Sequence, residues 1–434
     1  MAEIQNIRKI ARIVVEAVTP LAVGTGENSV MTDSVVAVDH NGLPYIPGTA
    51  LTGVLRHALE GTIDVDDVFG VVEGEKVLGS RIIVSDAKIV DFDGNVVDSK
   101  VRPSAILMQL YKDCPIRQHV SLNSKGVTEG TGKFDNQVVY KGSRFCFDVE
   151  LMVGQTDAKE CFLKILGAIR RGFRVGGSTR KGYGCLEVKS LWTKEYNTDN
   201  DYLEHSTVLS VSDKSMKSWK KDTGPSDSAY KEIKITPEDF VFFGSGFGNE
   251  NADASQLMEK YIVWGDDNKA EVRCGFVIPA SSVKGAFAHR FVYWYNALSG
   301  SYAGSQTQDA DSQTQDAGAQ AREILFGSTE KTGLMFFDDI VESVFENRKV
   351  FNHVKIDRFT GGAFPGALYN EEVMYLKGHD FILKYWLDEE SLEARCKDNK
   401  ETVMKAIELV IRDIQEGRLP LGGLTNRGHG CFKS

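Results

Sequence analysis

Gly176-Gly177-Ser178-Thr179-Arg180-Lys181-Gly182-Tyr183-Gly184-Cys185 returns near the far end of the chain as Gly422-Gly423-Leu424-Thr425-Asn426-Arg427-Gly428-His429-Gly430-Cys431. Each decapeptide follows an amphipathic stretch of helical spacing, AKECFLKILGAIRRG in one case and ETVMKAIELVIRDIQEG in the other. One glycine after a helix is an ordinary C-cap and carries little information. Four glycines in nine positions, interspersed with Arg180, Lys181 or Arg427, call for a backbone that approaches an anion closely while a cation neutralises it. The spacing fits neither G-x-x-x-x-G-K-[ST] nor G-x-G-x-x-G, which argues against a nucleotide cofactor. Contact with a phosphate backbone is the better reading, modestly on one copy and clearly on two.

Three further correspondences keep the same order in both halves, the signature of an internal repeat. Ile46-Pro47-Gly48-Thr49-Ala50-Leu51-Thr52-Gly53 answers to Ile278-Pro279-Ala280-Ser281-Ser282-Val283-Lys284-Gly285, with His57 and His289 in register. Phe69-Gly70 answers to Phe326-Gly327, and His119-Val120 to His353-Val354. Each histidine opens a long glycine-rich, basic excursion, SLNSKGVTEGTGKFDNQ or KIDRFTGGAFPGALYN, that returns through a strand pattern, FCFDVEL or FILKYWL. Lys125, Lys133, Lys355 and Arg358, with Phe134 and Phe364, give these excursions the make-up of a finger that touches phosphates and wedges between bases. A leading strand (ARIVVEAV; DFVFFG in the second half) runs through a loop and the I-P turn into a helix, where Thr49 or Ser281 is expected as N-cap. Strand, helix, strands, helix, strand is the order of an α+β, ferredoxin-like (RRM-like) unit. The expectation is therefore two tandem units, each with a finger insertion and a closing glycine loop.

Boundaries follow from composition. Residues 195–230 are polar, lack apolar periodicity and sit mid-chain, as a linker should, leaving domains at 1–194 and 231–434. Residues 300–321 contain SQTQDA twice and read as a low-complexity insertion in the second domain. These two segments hold −6 of the net charge of −10, so an acidic total does not exclude local basic grooves. Seven scattered cysteines with no C-x-x-C read as buried free thiols rather than as a disulfide framework or zinc site. No apolar run approaches a membrane span and the first residues lack a signal-peptide core, so a cytoplasmic protein with no membrane partner is expected.

The helix start I-P-G-[TS]-x-L-x-G-x-x-R, the loop GTGENSVMTD ahead of it, the fingers and the glycine loops together resemble the RAMP superfamily of CRISPR proteins, and within it the backbone subunit of type III effector complexes. Because the motifs recur, the chain resembles a fusion of two such subunits, as in some type III-D systems. The resemblance implies that each unit wraps guide RNA and that the fingers interrupt the guide–target duplex. It also implies that a loop aspartate cuts complementary target RNA beside a displaced nucleotide, with a divalent metal, Mg2+, as cofactor. Asp33 falls where that aspartate belongs and is also the possible metal ligand. The RNA-binding set it implies comprises Thr49, Thr52, Arg56, Lys125, Lys133, Gly176, Gly177, Ser178, Arg180 and Lys181. In the second half it adds Ser281, Ser282, Lys284, Lys355, Arg358, Thr360, Gly422, Gly423, Asn426 and Arg427.

In the second half, matching Asp39 of VVAVD to Asp266 of IVWGD sets Lys260 opposite Asp33, with Asp253 and Glu259 nearby but out of register. One cutting site is thus expected in the first domain; in the second, Asp253 and Glu259 are the candidates for a further cutting site, and that half is expected to hold RNA whether or not it cuts. The implied partners are guide RNA, target RNA, a large polymerase/cyclase-type subunit, and other backbone and small subunits. Two alternatives stand beside this: a guide-RNA-processing endonuclease of the same superfamily that works through a histidine, and a non-catalytic RNA-binding scaffold.

Overall fold

A computed structural model describes residues 7–26, 32–74, 76–98, 101–122, 128–152, 158–197, 199–203, 205–211, 215–219, 230–300, 317–328, 330–344 and 347–434. In the first half the principal elements are β1 (Arg8–Ala17), α1 (Gly48–Leu59), β2 (Ile82–Val84), β3 (Ile116–Leu122), β4 (Thr128–Gln137), β5 (Arg144–Met152), α2 (Ala158–Arg170) and β6 (Cys185–Tyr196). The second half has β7 (Lys231–Pro237), β8 (Met258–Trp264), β9 (Ala270–Ile278), α3 (Ala280–Ser299), β10 (Met335–Phe337), β11 (Arg348–Ile356), β12 (Ala363–Tyr375), β13 (Phe381–Leu387), α4 (Lys400–Gln415) and β14 (Phe432–Lys433). The sheets run β6-β1-β5-β2 and β14-β7-β13-β10, all antiparallel. Both are the ferredoxin-like order, fourth-first-third-second, as the element order predicts. The fingers are the hairpins β3–β4 and β11–β12, inserted between the second and third sheet strands.

Each half buries its own core under one face of its sheet. Phe145, Phe147, Val149 and Leu151 alternate along β5 and meet Leu51 and Leu55 of α1 and Ile165 and Ile169 of α2. Phe381, Leu383 and Tyr385 do the same on β13 against Val283 and Phe287 of α3 and Val403 and Val410 of α4. Burial of side chains this size contributes about 1.5–3 kcal/mol each, so the two cores stand as separate units.

Four expectations need correction. The leading strand of the second half is Lys231–Pro237, not DFVFFG. KEIKITP is a half-buried strand with an open outer face, whereas the apolar run beyond it is the crossing segment beneath the second glycine loop, where the Phe242 carbonyl accepts the Gly423 amide at 2.8 Å. Residues 195–230 are not a plain linker either. Tyr196 ends β6, Lys217–Ser218 pairs with it, and Tyr196 and Met216 are buried against the outer face of the first sheet. The cover is made by isolated large side chains rather than by a periodic element, so periodicity does not reveal it. The insertion 300–321 is split: 301–316 lie outside the described residues, while its tail belongs to the helix Ala317–Phe326. Finally, α1 and α3 are not capped by Thr49 or Ser281. Their first amides, Gly48 and Ala280, donate to Asp86 Oδ1 (2.8 Å) and Asp339 Oδ1 (2.7 Å), acids just beyond β2 and β10.

The halves are clasped by the β8–β9 hairpin, which lies against the first half. Ile262 joins the first core and its amide donates to the Lys141 carbonyl; Trp264 Nε1 donates to the Gly142 carbonyl. Gly142 (φ +86°) has no room for a side chain, since a Cβ there would stand 1.9 Å from the Ile262 carbonyl oxygen. Behind this seam Arg117 of β3 enters the second half and binds Glu259 through two nitrogens (3.1 and 2.6 Å) and Asp339 through the third (2.6 Å). The described cysteines form no disulfide, and no described helix is long and apolar enough to cross a membrane.

Candidate nucleic-acid interface

The glycine loops fold as sequence repetition demands. Gly177 and Gly423 donate to Ala22 O and Phe242 O, and Gly184 and Gly430 donate to Pro20 O and Phe240 O. Gly176 and Gly422 have φ of +90° and +93°, and a Cβ on either would fall 2.4 Å from the same carbonyls. These glycines are therefore required for contact with the chain's own backbone, and the residues between them are lifted outward in a short turn, Thr179–Lys181 or Thr425–Arg427.

Beside each loop lies the base of a finger. His119 of β3 stacks on Phe134 of β4 (5.0 Å) and is joined to Tyr183 of the loop through Nε2 (3.0 Å), while Lys181 Nζ lies 4.6 Å from the Phe134 ring. Burial and the charges of Lys181 and Arg117 push the His119 imidazolium down to about 4, so it is neutral at pH 7. In the second half His353 stacks on Tyr369 (5.0 Å) and Arg427 lies over the same ring. The matched histidines thus serve as supports for the finger aromatics.

Asp33 is exposed, in the loop before β-bridge residue Val36, and is tied to the finger by a reciprocal pair of hydrogen bonds. Its amide donates to Asp135 Oδ1 (2.8 Å) and the Asp135 amide donates to Asp33 Oδ2 (3.0 Å). In the second half the Asp253 amide donates to Asn370 Oδ1 (2.7 Å) and the Asn370 amide to Asp253 Oδ2 (2.9 Å). Neighbouring contacts repeat as well, with the loop residues 220 positions on and the finger residues 235 positions on: bridge Gly24–Val36 becomes Gly244–Gln256, and Gln137 N to Ser34 O becomes Glu372 N to Ala254 O. Asp253, not Lys260, is therefore the counterpart of Asp33. The sequence match went astray because β8–β9 is a longer hairpin than its first-half equivalent around Val38 and Pro44, so pairing turn with turn displaced the register. Glu259 is buried on Arg117 and faces no open surface.

The other implied residues divide sharply. Arg180, Lys181, Lys284 and Arg322 converge where the first glycine loop meets the start of α3; Arg180 Nε donates to Gly333 O and Lys284 Nζ to Phe326 O. Burial, then Lys181, Arg180 and Arg322, push the Lys284 ammonium down to about 8, and burial lowers Lys181 as well. Ser281, Ser282, Gly422 and Gly423 line a small cleft of about 90 Å³ with Arg117 and His119. Thr49 and Lys133 are exposed, Ser178 takes a left-handed φ of 53° at the loop shoulder, and Asn426 is exposed on the second loop. By contrast Thr52 bonds back to Gly48 O, and Arg56 is held by Asp66 and Gly70 O. Lys125 lies outside the described residues. His57 is exposed on α1, 3.2 Å from Glu60.

Two features escaped sequence reading. Phe359, 100% exposed between Arg358 and Thr360, stands at the tip of the second finger, held there by Asp357, which accepts the Phe359 and Thr360 amides. Lys355 packs over Phe364 in the same finger. The second is Glu371, which occupies the position of Asn136, binds Arg427 (2.7 Å) and has its other oxygen 2.9 Å from His353 Nε2. The first glycine loop faces Asn136 at that position, and among the described residues neither Arg180 nor Lys181 pairs with an acid.

Compared with known families, the chain matches the RAMP superfamily over residues 14–187 and 275–433. Among solved structures it is similar to a chain of the type III-B Cmr-beta bound to cognate target RNA, determined by cryo-EM, at 15% identity and a TM-score of 0.34, covering 41% of this chain and 96% of that one. The comparison with curated proteins finds no match.

Proposed function

We infer from membership of the RAMP superfamily, to which this chain belongs, that it is a double backbone subunit of a type III CRISPR effector, binding guide RNA and cutting complementary target RNA. The observation that carries this reading is the loop aspartate presented twice, each time tied to the base of a finger and next to a glycine loop. The convergence of Arg180, Lys181, Lys284 and Arg322 supports phosphate binding, since crowded, partly desolvated cations gain most from an anion. Phe359 and Phe364 supply the faces on which bases stack.

In this reading Asp33, and equally Asp253, takes the proton of a target 2′-OH as that oxygen attacks the adjacent phosphorus. The 5′-oxygen leaves with a proton from water, and a 2′,3′-cyclic phosphate remains. The finger's role is to hold the nucleotide splayed so that attack is in line. A divalent ion fits the donors: Mg2+ takes one or two carboxylates with phosphate oxygens and water, and Asp33 with Asp135, or Asp253 with Asn370, offer that number. Among the described residues no group of three or more His, Cys, Asp or Glu could hold a metal alone, so RNA would complete the shell. Bound there, the ion would neutralise charge on the reacting phosphate.

RNA binding tests the reading directly. A phosphate beside Lys284 raises its pKa from about 8, so binding takes up a proton and weakens as pH rises. Affinity measured by filter binding between pH 7 and pH 9.5 is expected to fall by about tenfold, and Lys284→Arg, charged throughout, should flatten the profile. Equal slopes in both proteins would remove Lys284 from the interface. In the second loop, Glu371→Asn gives Arg427 the surroundings Lys181 has. It is expected to raise affinity several-fold at low salt and steepen the log–log salt slope by about 0.7–1, one extra phosphate contact.

A further inference from the structure

The junction between the halves is a template for a second docking site. In it Arg117 enters between Glu259 and Asp339, while Arg174 and Arg180 lie over the Phe336 ring at 5.7 and 5.0 Å. Each acceptor on the second half has a counterpart on the first. Asp39 stands where Glu259 does, since the bridge Val38–Pro44 repeats as the pair Met258–Phe276. Asp86 caps α1 as Asp339 caps α3. Ile83 pairs opposite Glu150 on β5 as Phe336 pairs opposite Trp386 on β13. Yet Glu259 and Asp339 are buried, whereas Asp86 is exposed, and Val38 and Ile83 beside it are 51% and 52% exposed. Among the described residues neither Asp39 nor Asp86 pairs with a cation.

We propose that this face of the first half docks a separate protein chain, which inserts an arginine between Asp39 and Asp86 and packs over Ile83. Charge complementarity names the arginine, because carboxylates stand at the two positions that hold one in the junction: Asp39 Oδ1 accepts the Asn41 and Leu43 amides of its own turn and Asp86 Oδ1 the Gly48 amide, which leaves the second oxygen of each for a guanidinium. The chain itself is the wrong donor. Phe351 stands where Arg117 does, opposite Glu371 as Arg117 is opposite Asn136, and Pro420 stands where Arg174 does, so the free end of the second half offers no matching pair. Arg117 itself is already buried. A second copy of this chain therefore cannot repeat the junction, and the occupant is a different protein that presents an arginine from a protruding strand. The inference rests on the internal junction and not on the RNA reading.

The test places a photo-crosslinking p-benzoylphenylalanine at position 83 of the full chain, expressed in its own cells, and sequences the adduct from the isolated assembly. The expected adduct is one other protein, at a peptide containing an arginine, with the yield cut at least about tenfold by Asp39→Lys. Asp86→Lys should act likewise, and Asp86→Asn, which keeps an acceptor for the Gly48 amide, should act more weakly. Asp39→Lys leaves the helix cap untouched, and Asp39→Asn, which keeps an acceptor for the Asn41 and Leu43 amides while deleting the charge, should also lower the yield, so the loss cannot be assigned to a damaged α1 or a damaged turn. An adduct to RNA or to a second copy, no adduct, or a yield indifferent to both lysine variants would each overturn the proposal. RNA content and target cutting, read on the same preparation, report on the RNA reading alone.

Discussion

Asp33→Asn is expected to remove one cut from a matched target RNA and leave a second, Asp253→Asn to remove the other, and the double variant to bind target without cutting it. Each loss should be about 10²–10⁴-fold at its own position, the usual effect of deleting a general base. Asparagine is the right replacement because the second half already shows what it does in this motif: Asn370 holds the Asp253 amide through Oδ1 just as Asp135 holds that of Asp33. The variant keeps the reciprocal hydrogen bonds and deletes only the charge, so the loop remains tied to its finger and guide binding should be unchanged. Product lengths on a sequencing gel separate the two sites, since each variant removes a different band. A double variant that still yields both products would end the assignment of these aspartates; a single band lost only with Asp33 would leave the second half as an RNA-holding unit.

What made the fold legible is that its signals are local demands on the backbone. Gly176 and Gly422 are fixed by a carbonyl 2.4 Å from any Cβ, and the I-P turn must precede a helix, so both survive in the sequence wherever the unit is repeated. What was illegible depends on partners distant in sequence. The helix caps come from Asp86 and Asp339, dozens of residues beyond the amides they accept. Arg56 has the place of a phosphate ligand in the motif, yet Asp66 and the Gly70 carbonyl hold it. The cover of the first sheet is made by Tyr196, Tyr202, Leu209, Val211 and Met216, large side chains in polar surroundings, which no periodicity records. The place of Asp253 opposite Asp33 is hidden for a related reason. The extra length of β8–β9 that clasps the halves sits between the aspartate and the helix start, so the element that joins the two units also hid their correspondence.

Arg117→Met should be the most destabilising single change at the seam. The arginine's side chain is 2% exposed, and its removal leaves Glu259 and Asp339 buried without a cation, a change that costs about 3–5 kcal/mol when one partner of a buried pair is deleted. The pH dependence identifies the cause. Burial pushes the Asp339 carboxyl up to about 6 although Arg117 and the Ala280 amide pull it down. A carboxyl whose folded pKa lies above its unfolded value of 3.8 contributes stability that is complete below that value and is lost as pH rises through about 6. Without Arg117 the folded pKa moves higher still, so the window of loss extends upward. The penalty of Arg117→Met, measured by urea unfolding, is therefore expected to be largest near pH 8 and to shrink toward pH 5 as the orphaned acid takes a proton. An equal penalty at both pH values would mean that Arg117 holds the halves together by packing alone. The same experiment bears on function, because the seam sets the distance between Asp33 and Asp253. A chain whose halves separate should still present each aspartate on its own finger while losing the fixed spacing of its two cuts.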